Sequence, residues 1–174
     1  GYNTIKIHQP SGSADIDIDY MDVTYYEELF ADDFESGTLN NWTTAGNTDI
    51  YTGTPHNGSY GAILTCQGNI QKTSISTEDY SDIYLGFDLA GYNLESADFI
   101  GVQWYNGSSW NWAVQILNGD PEEQQVFTHY NCMLPASAED LSDFRILIVI
   151  QAPSSGGDGY CYVDDIVVAG KPVD

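Results

Sequence analysis

Four large aromatic side chains bracket one tight turn. Trp104 and Tyr105 precede Asn106-Gly107, and Trp110 and Trp112 follow it. If this stretch is a hairpin, period-two alternation puts Trp110 and Trp112 on one face. Flat indoles stack on the C–H faces of sugar rings, and neighbouring amides such as Gln103, Asn111 and Gln115 take the hydroxyls. The competing expectation for any single Trp is that it fills the core between two sheets. At least one of the four aromatics is expected at the surface. A second pattern, Asp15-Ile16-Asp17-Ile18-Asp19, sets three carboxylates on one strand face. Like charges so spaced need water or cations, which makes this either a solvated face or a cation site.

Charge narrows the partners. The chain of 174 residues carries 26 acidic side chains against four basic ones (Lys6, Lys72, Arg145, Lys171), a net charge of −22. Such a field repels phosphate backbones and argues against nucleic acid and anionic membranes. It suits divalent cations and neutral glycans. Four basic residues leave little to stabilise a developing anion. No G-x-S-x-G, H-E-x-x-H or phosphate-binding loop is present. Carboxylate pairs abound, but a glycosidase needs a cleft to hold them. The expectation is a protein that is not an enzyme. Cys66, Cys132 and Cys161 follow no metal-ligand spacing; one disulfide plus a thiol, or three thiols, both fit. No apolar run reaches eighteen residues, the length a spanning helix needs. The chain begins at Gly1 without an initiator Met, as expected of a mature, processed or excised chain in the secreted or cell-surface class.

The elements that must position these residues are strands. IKIH, DIDIDYMDVTYY, YGAILTC, IYLGFDLAGY, FIGVQWY, WNWAVQIL, FRILIVIQ and YCYVDDIVV alternate with period two and are rich in Ile, Val, Tyr, Phe and Trp. NGS, NGSS, NGDPEE and PSSGGDG between them are turn chemistry. Asn106-Gly107 is the strongest hairpin signal. Only the segment 136–143 reads as helical, over two turns at most. Eight or more short strands predict an all-β two-sheet sandwich of the jelly-roll kind, with an additional N-terminal β-hairpin.

Two stretches resemble one another. Thr4 to Tyr26 and Ile146 to Val168 each read as an apolar strand, a Pro/Ser/Gly turn and a second strand with a late aspartate. With one gap, Gln9, Pro10, Ser11, Asp15 and Asp22 align with Gln151, Pro153, Ser154, Asp158 and Asp165. Chance likeness of two strand-turn-strand units is the competing explanation. Read as a repeat, residues 1–28 are a hairpin, either the tail of a preceding module or a donor hairpin. Residues 29–170 are then the sandwich, and 171–174 a linker.

The opening DDFESGTLNNWTTAG, the segment PHNGSYGAILT and the closing YVDDIVVAG resemble extracellular jelly-roll domains of the MAM-like and carbohydrate-binding-module type, bacterial or archaeal. The resemblance covers roughly residues 30 to 170. It implies binding, adhesion or spacing in a multi-module surface protein. It also implies a structural Ca²⁺ held by the Glu after Phe and an Asp of the closing pair. Carried over, these are Glu35 and Asp165, with Asp164 and Asp33 as substitutes. Calcium takes six to eight oxygens and relieves repulsion between carboxylates on adjacent chain ends. The partners expected are therefore a glycan or neighbouring copies of this chain. In the second case the chain is a filament subunit whose N-terminal hairpin complements its neighbour. Trp42 is expected to pack at the sandwich edge and His56 to be a hydrogen-bonded turn residue. His8 and His129 carry no signal. Asn41, Asn57 and Asn106 match the N-glycosylation acceptor pattern, which NGS turns also satisfy.

Overall fold

The computed structural model describes residues 3–7, 21–152 and 159–173. Eleven strands account for almost all of its regular structure: β1 (Asn3–Ile7), β2 (Met21–Tyr25), β3 (Glu27–Asp32), β4 (Thr43–Tyr51), β5 (Gly61–Ile75), β6 (Tyr80–Tyr92), β7 (Phe99–Tyr105), β8 (Trp110–Leu117), β9 (Thr128–Met133), β10 (Phe144–Gln151) and β11 (Tyr160–Pro172). The hydrogen-bonded path runs β8-β7-β10-β5-β11-β6-β9, with β4 on β5 and β3 on β11. Every described pairing is antiparallel.

β5 belongs to both layers of the sandwich. Its first half pairs with β11 through Ala62 to Thr65, and its second half pairs with β10 through Asn69 to Ile75. The strand turns between layers at Cys66, where φ is +58°. β4 turns with it at Gly46, where φ is +68°. A Cβ at Gly46 would sit 2.5 Å from the Gln67 carbonyl oxygen, so only glycine fits this bend. Alternation does the rest. Ile100, Val102 and Trp104 of β7 and Ile146, Ile148 and Ile150 of β10 face Leu85, Phe87 and Leu89 of β6 and Val163, Ile166 and Val168 of β11 in one buried core.

The opening motif is a structural knot. Asp32 is buried; its Oδ1 accepts from the Phe34 amide, and its Oδ2 accepts from Trp42 Nε1 and Asn41 Nδ2. Trp42 stacks on Phe34 at 6.0 Å and is buried at the sandwich edge, as expected.

Four expectations are revised. The segment 136–143 forms a single 3₁₀ turn, Ala136–Ala138, because Leu141 and Asp140 instead bond back to Thr77. β10 and β11 do not pair with each other among the described residues; they flank β5 in different layers, whereas β1 and β2 pair directly in a separate two-stranded sheet. The two similar stretches are therefore wired differently. The sandwich begins at Glu27, which pairs with Gly170. β11 continues through Lys171 and Pro172, paired with Ser81 and Tyr80, so these two residues are strand rather than linker. The Asp15-Asp17-Asp19 face and both Pro/Ser/Gly turns lie outside the described residues.

Candidate functional site

The outer face of the β8-β7-β10-β5 layer is the first candidate. Register places Trp112 opposite Gln103, Gln103 opposite Leu147, and Leu147 opposite Gln71. The next row is Gln115, Gly101, Val149 and Asn69. Trp112 is 42% exposed and meets Phe99 edge-on at 5.6 Å. Its indole lies across Gly101, where a Cβ would come within 2.9 Å of Cζ3. Tyr105 and Trp110 pair at 5.4 Å on the same face, and the Arg145 guanidinium lies 5.0 Å from the Tyr105 ring centroid. A surface hollow bounded by Tyr105, Asp140, Asp143 and Arg145 adjoins them.

Trp104 does not join this platform. It points the other way along β7, is 3% exposed and stacks on Phe144 in the core. Its neighbours Gln103 and Tyr105 take the outer face, as alternation requires. Asn111 shares Trp104's parity and bonds to the Ser109 carbonyl.

The opposite layer carries a cluster in which Asp164 and Asp165 were expected as metal ligands but Asp88 was not singled out. Asp164 of β11, Asp88 of β6 and His129 of β9 are successive cross-strand partners. Asp88 is 2% exposed. Its Oδ1 accepts from His129 Nδ1 and its Oδ2 from His56 Nδ1, each at 2.8 Å. His129 Nε2 lies 3.0 Å from Asn131 Oδ1. The His56 ring leans on Phe127 at 5.6 Å. Asp165 sits in a bulge with φ +47°, beside Asp164. Burial pushes the Asp164 carboxyl up to about 6, against the pull of amide donors from Asn57 and Asp165. Burial also raises Asp165, with Asp88 adding to the rise, while Asn57 and His56 oppose it.

A row of tyrosines continues this face. Tyr162 packs on Tyr51 and Tyr160, and Tyr160 on Tyr92. The connection after β8 reaches over it, with Phe127 against Tyr162 and Gln125 Nε2 donating to the Tyr51 hydroxyl. Tyr162 is consequently 5% exposed.

The four carboxylates expected to hold calcium gather around the loop between β4 and β5 but take up separate duties there. Glu35 Oε1 accepts from the Ser59 and Tyr60 amides. Asp33 Oδ1 accepts from the Glu35 amide. Asp164 spends both oxygens on backbone amides. Among the described residues, one group of three acidic, His or Cys side chains brings its ligand atoms within 4.8 Å of one another: His56, Asp88 and Asp165. It shares only Asp165 with the expected set, and one donor is an imidazole nitrogen. That donor chemistry does not fit calcium, which takes oxygen.

The other expected positions are scattered. Asn41 is tied to Asp32, Asn57 lies exposed in the loop beside Asp164, and Asn106 Oδ1 accepts from the Ser108 and Ser109 amides as an Asx turn. Cys161 is buried and its thiol is pushed up by burial; burial also raises Cys132. No helix among the described residues is long and apolar enough to cross a membrane.

No family model matches the chain, and no curated protein matches it in sequence. Solved structures do match in fold. TmCBM61, solved with β-1,4-galactotriose, aligns with a TM-score of 0.60 at 14% identity, over 83% of this chain and 99% of that one. The CBM22-1 xylan-binding domain of Xyn10C from Paenibacillus barcinonensis aligns with a TM-score of 0.58 at 13% identity, over 87% and 99%. The K3 cleaved adhesin domain of Lys-gingipain from Porphyromonas gingivalis aligns with a TM-score of 0.55 at 14% identity, over 83% and 100%. This chain has a two-sheet β-sandwich fold, which it shares with these three domains at 13–14% identity.

Proposed function

We propose that this chain is a non-catalytic carbohydrate-binding module that acts at or outside the cell surface. The site assigned to this role is the outer face of the β8-β7-β10-β5 layer. One observation carries the reading: an exposed indole, Trp112, leads a row of amide and aliphatic side chains running across four strands. The indole offers a stacking surface for a sugar ring, and Gln103, Gln71, Gln115 and Asn69 offer donors and acceptors for its hydroxyls. A neutral polysaccharide meets no penalty from the net charge of −22. The fold likeness to a galactotriose complex and a xylan-binding domain supports the ligand class without naming the sugar. In this reading the segment before Glu27 belongs to a preceding unit of a multi-module protein. That β1 and β2 pair only with each other, among the described residues, is compatible with this. A divalent cation at Asp165 stiffens the module.

Affinity electrophoresis against a panel of neutral polysaccharides tests the reading. Retardation by at least one glycan is expected, removed by Trp112→Ala and retained by Trp104→Phe. Migration unaltered by every glycan would overturn it.

A further inference from the structure

The cation site can be taken further than its charge. We infer that His56, Asp88 and Asp165 form a binding site for a transition-series divalent ion of the zinc type, with His129 as the positioning residue for Asp88. Three features of the cluster support this.

The first is charge balance. Asp88, Asp164 and Asp165 bring three carboxylates to one point, two of them buried. No Lys or Arg pairs with them among the described residues; the only ion-pair partners are the two imidazoles. Buried carboxylates without a cation are strongly disfavoured. A divalent ion held between Asp88 and Asp165 neutralises both.

The second is donor type. An imidazole nitrogen and two carboxylate oxygens are a borderline set that suits zinc and its neighbours in the transition series. Their ligand atoms already lie within 4.8 Å of one another. Metal–ligand bonds of about 2.0–2.2 Å place tetrahedral donors about 3.4 Å apart. His56 Nδ1 stands 2.8 Å from Asp88 Oδ2, so the ring backs away by roughly half an ångström as Nδ1 gives up its proton to solvent and Nε2 carries the N–H of the neutral ring. It sits in the loop between β4 and β5 and is 44% exposed, so this movement disturbs no packed strand. The exposed side leaves a fourth position open to water or a ligand oxygen.

The third is orientation. His129 donates Nδ1–H to Asp88 Oδ1, which leaves Oδ2 aimed at His56. Outer partners of this kind fix a ligating carboxylate and are worth about 10–100-fold in affinity. Phe127 holds the His56 ring, and Asn57 ties the loop to Asp164.

The test is calorimetric titration of the whole chain, stripped with chelator, using ZnCl₂ and CaCl₂ separately. One equivalent of zinc is expected to bind, with no comparable heat from calcium. His56→Ala and Asp165→Asn should each weaken zinc binding at least tenfold. Asp165→Asn suits the left-handed backbone at this position, so it tests the charge without straining the fold. His129→Gln should weaken binding about tenfold while one equivalent still binds. His8→Ala should change nothing. Circular dichroism checks that each variant is folded. A visible absorption band on adding Co²⁺ to the wild type, absent in His56→Ala, gives the same answer without calorimetry. Calcium bound in preference to zinc, or zinc binding indifferent to His56→Ala and Asp165→Asn, would sink the assignment.

Discussion

Asp88 of β6 and Asp164 of β11 are direct partners across an antiparallel ladder, and both side chains are buried, at 2% and 0% exposure. Two carboxylates so placed repel unless each is separately satisfied. Asp164 turns to backbone amides of the β4–β5 loop and of its own bulge. Asp88 turns to the two imidazoles. The pair thus divides the cluster into a structural half and a half with open chemistry.

Asp88 and His129 should be energetically coupled. Removing His129 leaves the buried Asp88 Oδ1 short of a partner, which costs about 1–3 kcal/mol, whereas the half-exposed His129 turns to water when Asp88 is removed. Removing both leaves less unsatisfied. A double-mutant cycle of Asp88→Ala and His129→Ala, measured by urea unfolding in chelator, should show a coupling of at least about 1 kcal/mol. Additive losses would mean that the 2.8 Å contact contributes nothing.

Trp104 and Trp112 should respond oppositely to truncation. Trp104 is enclosed between the layers against Phe144, and Trp104→Ala should cost about 3–5 kcal/mol of stability. Trp112 leaves 42% of itself in solvent, and its truncation should cost under about 1 kcal/mol while abolishing glycan retardation. Equal losses of stability in urea would contradict the two orientations.

The fold was legible where period and burial agree. Alternation in FIGVQWY and FRILIVIQ announced strands whose odd and even residues face core and solvent. It could not say which set faced inward, so Trp104 was grouped with the surface aromatics. Its immediate neighbour Tyr105 decides the matter only once the β7–β8 register is known. Asp164 and Asp165 were singled out, but Asp88 and its two imidazoles were not, for a different reason. A carboxylate inside the apolar run of β6 is itself a signal, because a buried acid demands a partner. But its partners His56 and His129 lie 32 and 41 residues away on opposite sides in sequence, and no local spacing links them. The repeat misled for a related reason: similar strand-turn-strand sequences gave a two-stranded sheet in one case and two layers in the other. Pairing is set by what else is available to β10 and β11, namely β5.

Asp32 should carry much of the opening motif's stability. Its carboxylate is the acceptor for the Phe34 amide and for Trp42 Nε1, both buried contacts. Asp32→Ala should lower stability by about 2–4 kcal/mol, since charged acceptors contribute about 1.5–3 kcal/mol per bond with partial compensation by water. Trp42→Phe, which keeps the ring but removes the indole donor, should cost less. Melting curves of the two variants rank them, and the reverse order would refute this role.

Asp143 should give a small acid-side dependence of stability. Its hydrogen bond from Arg145 holds its carboxyl below the ordinary carboxylate range, helped by the Ser74 amide. The folded value is thus lower than the unfolded one. The contribution is fully present above the unfolded value, near pH 4, and fades as pH falls through the folded value. Asp143→Asn should therefore melt below wild type at pH 7, and the gap should close toward pH 2. The group is too exposed for a large effect. A gap that widens on acidification would reverse the sign and reject the pairing.

Gly46 sets the bend that lets β4 follow β5 from one layer to the other. Its φ of +68° already disfavours any side chain, and a Cβ there meets backbone, the Gln67 carbonyl at 2.5 Å, rather than a flexible side chain. Gly46→Ala therefore adds strain and a clash that no rotamer relieves; strain alone costs about 1–3 kcal/mol. The loop 52–60, which carries His56, follows directly from β4, so the same substitution should shift His56 relative to Asp88. A loss of at least about 2 kcal/mol in urea unfolding is expected, with zinc affinity falling in parallel. Gly119→Ala, with φ +93° but no heavy atom within 4 Å of its Cβ, separates the two causes. It carries the strain without the clash, so it should cost less than Gly46→Ala and leave zinc binding intact. Equal costs at the two glycines would show that the bend depends on backbone conformation alone and not on the close approach of β4 to β5.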